Sequence, residues 1–281
     1  MTLIVGPSGA SKPLITVTAG PRNAYTDPDT GLRYYHWQGV DYPSVTSVRN
    51  LAGMPHKLAQ WRTNQVIDRA INEYSTLTQM LSDGASPEAV AAWLRLGANK
   101  KRDEAADLGK RVHDAAEKGL NLTQVGSDVA PILKQYLSWL SATGANIVLK
   151  ERQVWSPSIG YAGTFDFICD FPKKPGDYWL VDLKTGGGTY PEHATQLEAY
   201  GRADFIGNDD IVDVPATAIL KMIPPSNHAV LWLTPDGWTF KVIPSTQQTW
   251  IAFRALLAFA LWTDANPTLD NLISAVKEGH A

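Results

Sequence analysis

Cysteine is nearly missing: Cys169 is the only one in 281 residues. The chain alone therefore builds no disulfide framework, no four-cysteine zinc site and no four-cysteine iron–sulfur cluster. Long hydrophobic runs are missing too. No stretch approaches the roughly 18 uninterrupted apolar residues needed to span a bilayer, and residues 1–7 carry no basic segment ahead of their short apolar stretch. The expectation is a soluble, cytoplasmic protein with no membrane partner. Neither sign of charge dominates, since 25 basic residues stand against 28 acidic ones for a formal net charge of −3. That balance excludes blanket attraction to polyanions and leaves a local basic groove open. Charged residues form only 19% of the chain and apolar ones 44%, opposite to the composition of disordered chains. Ten Trp, ten Tyr and seven Phe supply material for one large core or two small ones. There is no fixed-period repeat or long linker.

The pattern changes along the chain. From Ala24 to Val45, turn signals at Asp27-Pro28-Asp29-Thr30-Gly31 and at Gly39 separate aromatic-rich runs, which predicts a small β-meander. From Ser47 to about Leu140 the apolar residues follow helical spacing, for example Ala105, Leu108, Val112 and Ala115. Ser86-Pro87-Glu88 reads as a helix start, with serine capping and proline in the first turn. Strands are then predicted over 147–155, 162–171 and 178–184, a helix over 191–205, further strands near 216–223, 229–233 and 238–242, and a helix over 246–262. The fold class is α/β, a mixed sheet covered by helices. The domains expected are 1–98, holding the meander and a helical region, and 99–281, holding the core.

Gly6-Pro7-Ser8-Gly9-Ala10-Ser11-Lys12-Pro13 has the outline of a phosphate-binding loop and fails it twice. Ser11 replaces the glycine that lets the backbone wrap phosphates, and Pro13 replaces the hydroxyl that holds Mg²⁺. Leu14-Ile15-Thr16-Val17-Thr18 is β-branched where a helix N-terminus would have to begin.

A different set of residues carries chemistry. Asp182 and Lys184 are two apart at the end of a predicted strand, so a carboxylate and an ammonium project from one face. By itself this pair is more often an exposed ion pair contributing at most ~1 kcal/mol. Asp166, sixteen residues before Asp182, lies on a strand whose pairing with 178–184 brings the two aspartates together. Glu151 belongs to the strand before that, and His113 to a helix rich in alanine and charge. Two carboxylates about 4 Å apart repel by roughly 4 kcal/mol at an effective dielectric of 20, and a divalent cation removes that penalty. Oxygen-rich ligation with one imidazole suits Mg²⁺ or Mn²⁺ better than zinc. A lysine beside such an ion can orient the attacking water or neutralise a phosphate oxygen.

With these residues in hand, the chain resembles the RecB branch of the PD-(D/E)XK nuclease superfamily. Gly109-Lys110-Arg111-Val112-His113 matches that branch's Gly-x-x-x-His on a helix, and Glu151 its upstream acidic residue. Gly163-Thr164-Phe165-Asp166 matches its Gly-x-x-Asp, Asp182-Leu183-Lys184-Thr185-Gly186 its Asp-x-Lys-Thr-Gly, and Gln196-Leu197-Glu198-Ala199-Tyr200 its Gln-x-x-x-Tyr. All five stand in the family's order across residues 109–200. The resemblance implies a restriction-endonuclease-like core. It implies metal ligation by His113, Asp166, Asp182 and the carbonyl of Leu183, with Lys184 as the catalytic lysine and Glu151 near the metal. Gln196 and Tyr200, four apart, share a helix face and are expected at the substrate or bracing the site. Pro43-Ser44-Val45-Thr46-Ser47-Val48, with Leu58 and Trp61 downstream, is similar to the region preceding the core in phage and mitochondrial genome maintenance exonucleases. That favours a free-standing exonuclease lacking the iron–sulfur cluster of other members, in a bacterial or phage-infected cytosol. A recombination or single-strand-binding protein is the partner such a role implies.

The substrate implied is DNA, preferably single-stranded. Lys100-Lys101-Arg102, Lys110-Arg111 and Lys173-Lys174 are candidate phosphate contacts, and Thr185 adjoins the catalytic lysine. Tyr34, Tyr35, Trp37 and Trp61 are candidates for stacking bases, although aromatics at such spacing are more often core. A duplex-specific exonuclease, an endonuclease and an inactive nucleic-acid-binding relative are the rival readings.

Overall fold

The computed structural model describes residues 2–4, 14–16, 24–28, 31–51, 56–208, 211–212 and 227–265. The phosphate-loop look-alike and the strand expected near 216–223 lie outside these residues. Two compact units form, Met1–Ala52 with Pro131–Ala281, and Gly53–Ala130. The boundary expected at 98/99 falls inside one continuous helix, so the units divide elsewhere.

In the larger unit, β1 (Thr2–Ile4) pairs antiparallel with β2 (Leu14–Thr16), so a strand stands where a nucleotide-binding helix would have to begin. The meander is present as β3 (Ala24–Thr26), β4 (Arg33–Trp37) and β5 (Val40–Pro43) in an antiparallel three-stranded sheet. It leads into α1 (Val45–Asn50), whose first turn is capped by the Ser44 hydroxyl accepting from the Ser47 amide. After α5 (Ala130–Thr143) come three eleven-residue strands, β6 (Asn146–Ser156), β7 (Tyr161–Phe171) and β8 (Lys174–Lys184). Then follow α6 (Pro191–Gly201), β9 (Phe205–Asn208), β10 (Ile211–Val212), β11 (His228–Thr234), β12 (Gly237–Ile243) and α7 (Gln247–Ala265). Helix α6 stops at Gly201, and Phe205 starts a strand instead of closing the helix as the spacing predicts. The Phe205 ring packs against Trp37, a contact no local pattern encodes.

The main sheet has the order β10-β9-β6-β7-β8-β11-β12. Among the described strands of this sheet, β8 and β11 pair parallel and the others antiparallel, which makes the sheet mixed and the class α/β. Alternation along each strand sends neighbouring residues to opposite faces. Phe167 meets Trp139 and Tyr136 of α5, whereas Ile168 and Leu180 join Leu197 and Tyr200 of α6 and Phe253 and Leu257 of α7 in one buried cluster. Each such fully buried large side chain contributes about 1.5–3 kcal/mol.

The smaller unit is helical, with α2 (His56–Asn72), α3 (Tyr74–Ser82) and α4 (Pro87–Lys118). Helix α4 starts as its sequence predicts, the Ser86 hydroxyl accepting from the Ala89 amide at 3.2 Å. It ends at Gly119, whose φ of 64° is the left-handed cap that glycine adopts without steric cost.

Candidate active site

Strand register places the acidic residues. In the β6–β7 ladder, Lys150 faces Phe167 and Arg152 faces Phe165, so Glu151 and Asp166 stand opposite each other. Their carboxylates come within 4.8 Å. In the β7–β8 ladder, Ile168 faces Leu180 and Phe167 faces Val181. One further step sets Asp166 opposite Asp182. There the Asp166 carboxylate accepts from the Leu183 amide at 2.5 Å, taking the place a partner-strand carbonyl would have had. Glu151, Asp166 and Asp182 thus form a row across three adjacent strands.

Glu151 has φ of 46°, a region that costs a non-glycine residue of order 1–3 kcal/mol and persists only where the surroundings enforce it. Like charges directly opposite on a sheet are also unfavourable. Both penalties fall on the same acidic residue.

Asp182 is only 2% exposed. Its Oδ1 accepts from Lys184 Nζ at 2.6 Å and from Gln196 Nε2 at 3.2 Å. Lys184 also donates to the Leu183 carbonyl at 3.3 Å, so Leu183 gives its amide to Asp166 and its carbonyl to the lysine. Gln196 Nε2 reaches the Tyr200 hydroxyl at 3.1 Å, which the one-turn spacing on α6 allows. Burial, then the Tyr35 hydroxyl and the charges of Asp182 and Asp166, push the Tyr200 phenol well above its ordinary range. It remains a neutral donor or acceptor beside the acidic row. A Cβ on Gly163 would come 2.5 Å from the Tyr200 ring. The Gly-x-x-Asp and Gln-x-x-x-Tyr motifs are therefore in direct contact, and glycine is the residue that admits the ring. Thr185 is half-buried just after β8.

Two residues at this site are not singled out by the sequence. Arg49, at the end of α1, donates to Gln196 Oε1 at 2.8 Å. His193 is 6% exposed, and its Nδ1 accepts from the Tyr190 amide at 3.2 Å. Burial, then the charges of Lys184 and Arg49, pull its pKa down to about 3, so the imidazole is neutral with its proton on Nε2. The only sequence signal for Arg49 is its place just after Ser44-Val45-Thr46-Ser47-Val48.

His113 is half-buried on α4 of the helical unit, where Lys110 is exposed. Arg111 is tied to Asp107 at 2.8 Å and to Asp128 at 2.7 Å. Lys100 pairs with Glu104, Arg102 with Asp103, and Lys101 donates to Gln65. Much of the expected basic cluster is thus engaged within its own unit. Lys173 and Lys174 are exposed at the β7–β8 turn. Tyr34, Tyr35 and Trp37 are buried; Tyr35 and Trp37 pack on Trp155 and are core rather than open stacking platforms. Trp61 is half-buried on α2.

The arrangement offers hard oxygen donors in a row with an ammonium held against the last of them, a donor set suited to a hard divalent cation. The sequence matches no family model and no curated protein.

Proposed function

We propose that this chain is a Mg²⁺- or Mn²⁺-dependent DNA exonuclease of PD-(D/E)XK type that hydrolyses phosphodiester bonds and prefers single-stranded ends. One observation carries the reading. Buried Asp182 takes the Lys184 ammonium and the Gln196 amide on one oxygen, at the end of a strand register that lines up Glu151, Asp166 and Asp182.

Glu151, Asp166 and Asp182 are the residues that would hold the ion, with the Leu183 carbonyl that the resemblance implies. The oxygen donors fit Mg²⁺ or Mn²⁺. When bound, the ion supplies Lewis-acid stabilisation of phosphate charge and acidifies the attacking water. The chain's own groups do the rest. Lys184 presents its ammonium to a phosphate oxygen or to that water, oriented through Asp182 Oδ1. Gln196 fixes the Asp182 carboxylate, and Tyr200 fixes Gln196. Thr185 is assigned to the substrate, and Gln196 and Tyr200 brace the site.

The test is a digestion time course on end-labelled DNA, linear and circular, single- and double-stranded, with Mg²⁺ or Mn²⁺. Linear single strands should be consumed fastest and circles spared. Asp182→Asn and Lys184→Ala should lower cleavage by about a hundred- to a thousandfold, with melting temperatures within a few degrees of wild type. The ion should raise the wild-type melting temperature, since a ligand at 100 times its Kd adds about 2.7 kcal/mol. Cleavage retained in Asp182→Asn refutes the assignment. Cut circles would point to an endonuclease, and binding without turnover in Mn²⁺ to an inactive relative.

A further inference from the structure

We propose that Arg49 grips a phosphate of the bound strand at or next to the scissile position, an assignment that rests on the phosphodiesterase reading above. The guanidinium has five donors in a fixed planar fork, and its partners are few and neutral. Nη1 donates to Gln196 Oε1 at 2.8 Å and Nη2 to Asn50 Oδ1 at 3.1 Å. Nε is buried with no partner among the described residues. No carboxylate among the described residues forms an ion pair with Arg49, whereas Arg69, Arg102, Arg111 and Arg202 each have one.

A half-buried guanidinium with uncompensated charge is costly, and an anion removes that cost. The position favours a substrate anion. Gln196 accepts from Arg49 on one atom and donates to Asp182 from the other, so the guanidinium stands two hydrogen bonds from the carboxylate that holds Lys184. Arg49 and Lys184 also both act on buried His193. A phosphodiester carries a single negative charge on two non-bridging oxygens, and a planar fork matches that pair. Lys184 is engaged by Asp182 and so serves the reacting phosphate; Arg49 has donor capacity in reserve to hold the strand.

The test uses a short fluorescent oligodeoxythymidine in Ca²⁺, which permits binding without turnover, and versions carrying one neutral methylphosphonate at the scissile position or at either neighbour. Arg49→Met should bind the native strand roughly ten to a hundredfold more weakly, and its log–log salt slope should fall by about 0.7. At one position the methylphosphonate that weakens wild-type binding should weaken Arg49→Met no further, while Arg49→Lys recovers part of the affinity. Gln196→Ala separates holding phosphate from merely orienting Gln196, because it should keep the methylphosphonate sensitivity that Arg49→Met loses. Additive losses at every position, or unchanged affinity and salt slope in Arg49→Met, overturn the assignment while wild-type cleavage leaves the nuclease reading standing. Wild-type protein that neither binds nor cuts DNA overturns both.

Discussion

Glu151 offers a way to separate two costs that converge on one residue. Its φ of 46° is a conformation that glycine adopts freely, and its carboxylate lies within 4.8 Å of the Asp166 carboxylate. At an effective dielectric of about 20, that repulsion is roughly 3 kcal/mol when both groups are ionised. Glu151→Gln removes the charge and keeps the strained backbone. Glu151→Gly removes both, recovering of order 1–3 kcal/mol of backbone strain less about 0.5–1 kcal/mol for the greater freedom of glycine in the unfolded chain. In EDTA the expected order of melting temperature is Glu151→Gly above Glu151→Gln above wild type, with steps of a few degrees at roughly 2–4 °C per kcal/mol. Mn²⁺ should narrow the gap, because only the wild type offers the full carboxylate row to the cation, and both variants should lose cleavage. Thermal melts with and without metal, read beside a nuclease assay, decide the matter. Should Glu151→Gly melt at or below Glu151→Gln, the backbone there is not strained. Should both melt below wild type in EDTA, the carboxylate is stabilised in the apo fold rather than repelled.

Gly163→Ala places a methyl 2.5 Å from the Tyr200 ring and 3.2 Å from Val45. Overpacking of this kind costs about 1–3 kcal/mol, and moving Tyr200 loosens Gln196 and Asp182, so stability and turnover should fall together; an unchanged melting temperature with full activity would contradict the packing described. His228 is 3% exposed. Burial pulls its pKa down to about 4 against the opposing charge of Glu198, with Arg202 adding to the depression. The unfolded chain then takes up a proton near pH 6.5 that the folded chain refuses until about pH 4. Stability from this group is complete above pH 6.5 and is lost as pH falls towards 4, by on the order of 3 kcal/mol. Urea midpoints for wild type and His228→Gln should therefore converge on acidification, and a constant gap across pH 7.5–4.5 would reject the linkage.

Local pattern determined a good deal. Period-two apolar runs gave the long strands near their true limits, and Ser86 with Pro87 marked the start of α4, because capping and side-chain alternation depend on near neighbours alone. The spacing of Asp166 and Asp182 was enough to expect a meeting once their strands paired. Tertiary structure decided the rest. Phe205 became a strand residue, paired with Trp155 and with its ring packed on Trp37. Tyr35 and Trp37 were taken into the core by Trp155, and Arg111 was tied up by acids four and seventeen residues away. Arg49 reached the site only because α1 and α6, 147 positions apart at Arg49 and Gln196, are in hydrogen-bond contact. Glu151 has a left-handed backbone that no local pattern announced. Such features depend on which distant residues meet, and periodicity within one segment carries no information about its partner.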